Sequence, residues 1–234
     1  MISVCIATYN GESFLYRQLR SILDQLGCDD EIIISDDNSN DATVKIIEGF
    51  SDDRIKLHKN TNRLGPVMNF ERAVALSKGD IIFLADQDDI WLPGKVERMC
   101  MELDYVDLVV CDASLIDSAG NILTTSYFKA RRSGPGLIKN ITRNTYLGCC
   151  MAFRRAVFEK AKPFPKDLYH DYWIGIIAEI FFRTRFIDDV LVRYRRHDSN
   201  FSSASDLKSN NSFWDILLIR MILFKNLLSR MLTV

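Results

Sequence analysis

The sequence predicts an α/β protein with a doubly wound, mainly parallel β-sheet. Four short strand-like segments, three of them mainly apolar, alternate with three helical patterns before residue 89. Strands and helices that alternate at this spacing form a parallel sheet, because each helix returns the chain to the edge where the next strand begins. Polar residues follow three of the four strands. They therefore lie at the edge of the sheet where such folds bind ligands.

The first half of the chain holds the most regular elements. The predicted strands span residues 2–8, 31–35, 54–58 and 80–85. All of them except 54–58 are mainly apolar. Helices are predicted from about Glu12, from Asp41, which suits an N-cap, and from Pro66, which suits a first turn. Gly27 and Gly79 end the first and third helices. The inward-facing residues of these two helices are Leu15, Leu19, Ile22 and Leu26, then Val67, Phe70 and Val74.

The second half is less regular and shows no internal repeat. The predicted elements are, in chain order, a helix over 93–105, a strand over 107–111, a hairpin turn over 118–121, a mobile loop over 131–136, an apolar segment over 146–153, a helix from His170 or Asp171, and two short strands over 185–187 and 190–194.

Composition excludes several classes of function. The 234 residues carry a net charge of −1, so no strong field favours nucleic acid as a partner. The six cysteines follow no C-x-x-C spacing, which disfavours a zinc site, and several lie in apolar segments. Met1 leads directly into the first strand, so we expect no signal peptide. A reduced, cytoplasmic protein is the expectation.

A cluster of carboxylates directly follows the fourth strand. Asp86, Asp88 and Asp89 repel one another unless a cation neutralises them or protons are shared. Mg²⁺ and Mn²⁺ use hard oxygen ligands and take one or two carboxylates while leaving room for phosphates. The alternative is that Asp88 or Asp89 caps the helix that follows. The position at the end of a strand favours a metal site.

Polar residues after the first two strands suit a nucleotide. The ring of Tyr9 is suited to stack on a base. Either Asp36 or Asp37 is suited to accept a hydrogen bond from the imide N–H of a base. Ordinary turn chemistry explains Asp36 and Asp37 equally well. The first turn contains only Gly11, so the glycine-rich dinucleotide fingerprint is absent, as is a P-loop. A metal and basic side chains must then neutralise any diphosphate.

Two later segments offer a general base and a cationic partner. Asp171 begins a predicted helix beside aromatic residues, where partial desolvation suits a general base. An N-cap is the alternative role, and both roles are compatible. His197 ends a basic segment, where it suits either a metal or a phosphate. A solvated basic edge strand is the alternative for this segment.

Six motifs together resemble glycosyltransferase family 2, which has the GT-A fold, over nearly all of residues 1–203. The forms Asp-Gln-Asp-Asp-Ile-Trp and His-Asp-Tyr-Trp are most similar to bacterial rhamnosyltransferase-type members. The motifs lie at residues 4–10, 33–39, 62–65, 83–91, 170–173 and 194–197.

The resemblance implies a role for each matching residue. Asp171 is the catalytic base, although many members have Glu-Asp where this chain has His170-Asp171. Asp86 and Asp88 hold Mn²⁺ or Mg²⁺, with His197 completing the shell. The implied nucleotide-binding residues are Thr8, Tyr9, Asp37, for the base imide, and Arg63, for the base or phosphates. The implied acceptor-binding residues are Gly148, Cys149 and Trp173.

The implied reaction is an inverting transfer of a sugar from a nucleoside-diphosphate donor. The resemblance favours dTDP-rhamnose or a UDP-hexose as donor and a glycan or lipid-linked saccharide as acceptor, in bacterial surface polysaccharide synthesis. Residues 1–112 would bind the donor, and 113–203 would bind the acceptor and supply the base. The alternatives are a sugar-nucleotide pyrophosphorylase, a non-catalytic nucleotide-sugar-binding domain and a glycosidase.

Residues 204–234 are predicted to form a linker and a C-terminal helix that is apolar with interspersed basic residues. Charges in its last 22 residues, 213–234, do not suit a membrane span. An interfacial anchor on anionic lipid at the inner face of the plasma membrane is one expectation. A helix packed on the domain or on a second subunit of a homodimer is the other.

Overall fold

The computed structural model describes residues 1–197 and 213–232 of the chain. The strands are β1 (Ile2–Thr8), β2 (Glu31–Asp36), β3 (Ile55–Lys59), β4 (Ile81–Ala85), β5 (Ile90–Trp91), β6 (Leu108–Ile116), β7 (Ile122–Thr124), β8 (Met151–Arg154) and β9 (Thr184–Arg195). Within the described residues they form one nine-stranded sheet in the order β3-β2-β1-β4-β8-β6-β9-β5, with β7 paired to β6. The predicted α/β architecture is confirmed.

The first four strands are parallel, and the chain reverses its direction of travel across the sheet at β1. From β1 it proceeds to β2 and β3, and then returns to place β4 on the other side of β1. Thr8 pairs with Asp36, and Ile6 pairs with Ala85, so the carboxyl ends of β1, β2 and β4 lie together. Such a switch point is where α/β sheets open a ligand crevice. The four predicted strands match these within one residue at each end.

The second half of the sheet is mixed. β8 runs antiparallel to both β4 and β6, whereas β9 runs parallel to β6. The prediction of two short strands over 185–187 and 190–194 is wrong, because one continuous strand, β9, spans Thr184–Arg195. The register shifts on both sides of Asp112, so a bulge interrupts the alternation of side chains that the sequence pattern depends on.

Nine helices and one short 3₁₀ turn at Gly148–Cys150 complete the described part of the chain. The helices are α1 (Leu15–Leu23), α2 (Thr43–Glu48), α3 (Pro66–Leu76), α4 (Lys95–Leu103), α5 (Tyr127–Arg131), α6 (Leu137–Thr142), α7 (Arg155–Ala161), α8 (His170–Phe181) and α9 (Phe213–Leu232).

The predicted stop of the first helix at Gly27 is wrong, because α1 already ends at Leu23. The guanidinium of Arg54 donates to the backbone oxygens of Leu23 and Leu26, at 3.2 and 2.7 Å. A side chain from a distant loop thus satisfies carbonyl groups at the end of the helix, a contact that no local pattern reveals. The predicted inward face is correct, since Leu15, Leu19 and Ile22 are buried.

The C-terminal helix α9 packs on the domain. Leu223 and Leu227 are buried, and Arg220 and Arg230 donate to the backbone oxygens of Thr142 and Pro163. None of the helices in the described residues is long and apolar enough to cross a membrane. The end of the predicted domain at 198–203 and the predicted linker from 204 to 212 lie outside the described residues.

Candidate active site

A cavity of about 450 Å³ opens at the carboxyl ends of β1, β2 and β4, opposite the first turn of α8. Parallel strand ends form one wall, so residues far apart in sequence converge on it. The predicted site residues that line the cavity are Thr8, Tyr9, Asp37, Arg63, Asp86, Asp88, Gly148, Asp171 and His197.

Gln87 fixes the loop that follows β1. Its side-chain oxygen accepts from the backbone N–H of Tyr9 at 2.9 Å, and its side-chain nitrogen donates to the backbone oxygen of Tyr9 at 3.0 Å. A Cβ atom added to Gly11 would lie 2.4 Å from the same Gln87 oxygen. The middle residue of Asp86-Gln87-Asp88 therefore positions Tyr9, and Gly11 leaves the space for it.

We expect Gly11→Ala to destabilise the protein by about 1–3 kcal/mol, because the new methyl group overpacks the Gln87 amide. Chemical denaturation measures this change in the free energy of unfolding. The double variant Gly11→Ala/Gln87→Ala removes the clashing amide, so the cost of the alanine at position 11 should be smaller in that background. Equal costs in both backgrounds would contradict the assigned role of Gln87.

Asp37 organises the loop that precedes α3. One carboxylate oxygen accepts from the Leu64 N–H at 2.6 Å and from the Asn60 amide at 3.0 Å, and the other accepts from the Gly65 N–H at 2.9 Å. A carboxylate has about four lone-pair sites, so one remains for a ligand. Asp37 is buried beside the cavity, and turn chemistry and ligand binding are both compatible with it.

The hydroxyl group of Thr8 is turned to the protein. It donates to Asp36 at 2.8 Å, and Asp36 also accepts from the side chain and backbone of Ser39. Thr8 therefore lines the cavity, but its hydroxyl group is bonded to Asp36 on the neighbouring strand and not directed to a ligand. Asp36, left open in the sequence analysis, serves as a structural acceptor.

The ring of Tyr9 is covered on one face. The guanidinium carbon of Arg63 lies 3.7 Å from the ring centroid, and its Nε lies 4.0 Å from the Asp37 carboxylate. The Arg63 side chain is otherwise exposed. A planar guanidinium stacked on an aromatic ring has the shape and position of one layer of a base-binding slot.

Asp88 and His197 form a contact across 109 residues of sequence. The Nε2 atom of His197 lies 2.8 Å from a carboxylate oxygen of Asp88. The pairing of β5 with β9 brings them together, although the sequence did not predict β5. Beside them, the buried Arg195 donates through its side-chain Nε to the backbone oxygen of Asp88 and through its backbone N–H to the carboxylate of Asp89. The alternative of a solvated basic edge strand is wrong for Arg195.

Asp86 and Asp89 converge with the Cys149 thiol, all three ligand atoms lying within 4.8 Å of one another. Burial and the neighbouring Asp89 and Asp88 carboxylates raise the pKa of Asp86 well above its usual range. Burial, with Asp88 adding to it, raises the pKa of Asp89 to about 7. One oxygen of Asp89 has no hydrogen-bond partner among the described residues. Concentrated negative charge of this kind suits a cation.

Lys95 is a buried cation that the sequence analysis missed. Its ammonium donates to the backbone oxygen of Cys149 at 2.6 Å and lies 4.0 Å from the Trp91 ring centroid. Its positive charge opposes part of the rise in the pKa of Asp86 and Asp89. Lys95 shares one face of α4 with Met99 and Leu103, both fully buried. The spacing of four residues places Lys95 on the apolar face of the helix. That pattern could have indicated from the sequence that Lys95 is buried.

Asp171 lies in the first turn of α8. Its carboxylate accepts from the Tyr172 N–H at 2.6 Å, and burial raises its pKa to about 6. The preceding His170 stacks on Phe70 with ring centroids 4.0 Å apart, and burial lowers its pKa to about 3. A neutral His170 thus adds no charge beside a carboxylate held near the pKa that suits a base.

The three predicted acceptor residues have different positions. Gly148 lines the cavity, and a Cβ atom added to it would lie 2.9 Å from Nε2 of His170. Cys149 lies behind Gly148, against Asp86 and Asp89. Trp173 is fully buried and donates to the backbone oxygen of Ala161 at 2.7 Å. The position of Trp173 contradicts its predicted acceptor contact, because the apolar face of α8 turns it toward the core.

Comparison with known proteins identifies the family. The family model described as "Glycosyl transferase family 2" matches residues 3–161. The chain belongs to glycosyl transferase family 2. The matched range contains Tyr9, Asp37, Asp86 and Asp88, whereas Asp171 and His197 follow it.

Two bacterial glycosyltransferases are similar to this chain over most of its length. The dTDP-rhamnosyl transferase RfbG of Shigella flexneri is 28% identical over 219 residues, 86% of this chain and 74% of the relative. The UDP-Glc:alpha-D-GlcNAc-diphosphoundecaprenol beta-1,3-glucosyltransferase WfgD of Escherichia coli is 26% identical over 222 residues, 93% of this chain and 85% of the relative.

Solved glycosyltransferases share the fold. S. aureus TarS in complex with UDP-GlcNAc superposes with a TM-score of 0.74 and 19% identity, over 96% of this chain and 66% of that one. The mannosyltransferase PcManGT from Pyrobaculum calidifontis, in complex with GDP-Man and Mn²⁺, gives 0.66 and 19%, over 94% of this chain and 68% of that one. The chain thus spans just under two thirds of the TarS chain. The GT-A fold is confirmed.

Proposed function

We propose that this family 2 glycosyltransferase transfers a sugar, with inversion, from a nucleoside-diphosphate donor to a saccharide acceptor. One observation supports this most strongly: Asp171, whose raised pKa suits a base, faces the same cavity as Asp37, Asp86 and Asp88. A donor-binding wall and a base that share one cavity suit a displacement between two bound sugars.

Tyr9, Asp37 and Arg63 are the proposed base-binding residues. The Tyr9 ring supplies a stacking face, and the free acceptor capacity of Asp37 matches the imide N–H of uracil or thymine. Both bases have that donor, so dTDP-rhamnose and a UDP-hexose are the proposed donors. The names of RfbG and WfgD, which include dTDP-rhamnosyl and UDP-Glc, agree with this pair of bases.

The residues present fit a divalent cation. Asp86 and Asp88 offer carboxylate oxygens and His197 a ring nitrogen, a donor set that suits Mn²⁺ and, through the oxygens, Mg²⁺. The unpartnered buried oxygen of Asp89 adds negative charge beside them, within the described residues. When bound, such a cation supplies Lewis-acid stabilisation of the departing diphosphate. PcManGT was solved with Mn²⁺.

Asp171 is the proposed catalytic base. Its carboxylate takes the proton of an acceptor hydroxyl as the hydroxyl oxygen attacks the anomeric carbon, and the bond to the nucleoside diphosphate breaks. A single attack from the face opposite the leaving group inverts the anomeric configuration. The Tyr172 N–H holds the carboxylate in place, and neutral His170 keeps the surrounding charge low.

The acceptor and the cellular location follow from the same proposal. We place a glycan or lipid-linked saccharide on the side of the cavity that is lined by Gly148, Tyr169 and Asp171, and the donor on the side of residues 1–112. The name of WfgD specifies a diphosphoundecaprenol acceptor. The proposed location is the cytoplasm, at the inner face of the plasma membrane, in surface polysaccharide synthesis.

Melting temperatures with UDP-, GDP- and dTDP-sugars, each with and without Mn²⁺, test donor binding. At about 100 times the dissociation constant, a ligand adds about 2.7 kcal/mol of stability. That corresponds to an increase of about 5–10 °C for a chain of this size. We expect this for dTDP- or UDP-sugars and a larger effect with Mn²⁺.

Tyr9→Ala should reduce this stabilisation, whereas Tyr16→Ala, an exposed tyrosine on α1, should leave it unchanged. Stabilisation by none of the three donors would contradict the proposal. Binding without transfer to any saccharide acceptor would indicate the non-catalytic alternative. A pyrophosphorylase is not supported, because residues 9–12, which follow β1, contain one glycine and no lysine or arginine to bind a triphosphate.

A further inference from the structure

The C-terminal helix α9 has two apolar faces, and only one of them contacts the domain. Leu223 and Leu227 are buried against the core. On a second, adjacent face, Leu217, Met221, Phe224 and Leu228 are between 41% and 61% exposed. Their spacing of four, three and four residues aligns them along one face of the helix. We call these four residues the apolar stripe.

Basic residues border the apolar stripe on both sides. Lys225 is exposed beside it on α9 itself. On the other side, Arg220 donates to the Thr142 backbone oxygen at 2.8 Å, which joins α9 to the end of α6. Exposed Lys139 and Arg143 lie on and directly after α6, where Ile138 is 80% exposed. Apolar and cationic groups therefore lie together on the surface formed by α6 and α9.

Acidic residues are nearly absent from the two segments that build this surface. Residues 118–158 and 213–234 contain ten lysines and arginines and one acidic residue, Asp215. The whole chain has a net charge of −1, so the other acidic residues lie elsewhere. This separation of charge matches a partner that is both apolar and anionic.

We infer that α6 and α9 dock the protein on an anionic lipid bilayer, with the apolar stripe inserted at the interface. A helix of this kind lies in the interface plane with its apolar face buried and its basic residues near the headgroups. The charge pattern argues against a second copy of the chain. A two-fold interface on the stripe would bring Lys225 and Arg143 of both copies together, and the two segments hold one acidic residue against ten basic ones.

The docking surface adjoins the acceptor side of the cavity. The Arg220 guanidinium lies 5.8 Å from the ring centroid of Tyr172, the residue that follows Asp171. Given the proposed function, on which this step rests, a docked molecule presents its acceptor side to the lipid surface. The saccharide of a lipid-linked acceptor then reaches Asp171 while the lipid part of the acceptor stays in the bilayer.

Vesicle flotation of the full chain, without donor or metal, tests the docking. We expect binding to phosphatidylcholine vesicles that contain phosphatidylglycerol, weaker binding to pure phosphatidylcholine, and release by salt. Phe224→Ser and Leu228→Ser should each weaken partitioning about tenfold. Lys139→Glu and Arg143→Glu should each weaken it at least about fivefold.

The matched control is Met101→Ser/Tyr105→Ser, which changes two equally exposed apolar residues in and after α4, among acidic residues. This variant should bind vesicles like the wild type. Melting temperatures of all variants check that they fold. We expect little change in them, because every substituted residue is exposed. Binding is measured without catalysis, so loss of transfer activity leaves the result unaffected.

Two outcomes would overturn the inference. One is a wild-type protein that does not float with anionic vesicles, or whose binding survives Phe224→Ser/Leu228→Ser unchanged. The other is a dimer, by light scattering, that the same double variant dissociates while lipid has no effect. The second outcome would assign the apolar stripe to a second copy of the chain.

Discussion

Asp171→Asn should lower the rate of sugar transfer by about 10²–10⁴-fold, the usual contribution of a general base. The amide has the same shape as the carboxylate but cannot accept the acceptor proton, and the Tyr172 N–H still finds an oxygen to bond. Donor binding, followed by the melting temperature with nucleotide sugar, should remain. The measurement is initial rate at saturating donor with a saccharide acceptor.

Asp167→Asn is the matched control, since Asp167 is an exposed carboxylate shortly before α8. It should transfer at the wild-type rate. A pH series adds an independent readout. The pKa of Asp171 is raised to about 6, and the base must be ionised, so wild-type kcat/KM should fall as pH drops below about 6. If the Asp171→Asn variant transferred sugar at the wild-type rate, Asp171 would not be the catalytic base.

The parallel half of the fold was predictable because its signals are local. β1, β2 and β4 are short, mainly apolar runs, and fully buried strands such as β2 need no partner-specific information to be recognised. The convergence of Tyr9, Asp37 and Asp86 followed from one rule, that parallel strands end at the same edge of the sheet. Geometry common to all such sheets thus located the cavity.

Contacts between distant segments were not predictable in the same way. β5 is two residues long, and it exists because β9 pairs with it from 100 residues further along the chain. The same pairing places His197 beside Asp88, which the family resemblance implied and the local pattern did not. Gln87 lies between the two proposed metal ligands in sequence, and its side chain hydrogen-bonds to the backbone of Tyr9. Short polar motifs do not specify which member faces the ligand.

Trp173 shows the limit of transferring a motif residue by residue. It lies two residues after Asp171, the proposed base, but α8 turns by about 100° per residue. Asp171 therefore faces the cavity while Trp173 points to the core and donates to Ala161. Helical geometry applied to 170–173 would have separated the two roles.

Asp88→Asn should lower metal-dependent transfer at least about 100-fold, since losing even a group that only supports a metal ligand costs about 10–100-fold. The substitution keeps the side-chain volume and removes the charge beside His197. Mn²⁺ binding, measured by the loss of the free-ion electron paramagnetic resonance signal, should weaken in parallel. Asp104→Asn, an exposed carboxylate after α4, is the control that should change neither.

Cys149→Ser decides between two candidate ligand sets that share Asp86. One set adds Asp88 and His197, and the other adds Asp89 and Cys149. If Asp88 and His197 hold the cation, Cys149→Ser should bind Mn²⁺ like the wild type, because Mn²⁺ prefers oxygen and nitrogen donors to thiols. Weak binding by Cys149→Ser together with wild-type binding by Asp88→Asn would move the cation to the buried set. Lys95 favours the first outcome, since its buried ammonium already partly neutralises the negative charge of Asp86 and Asp89.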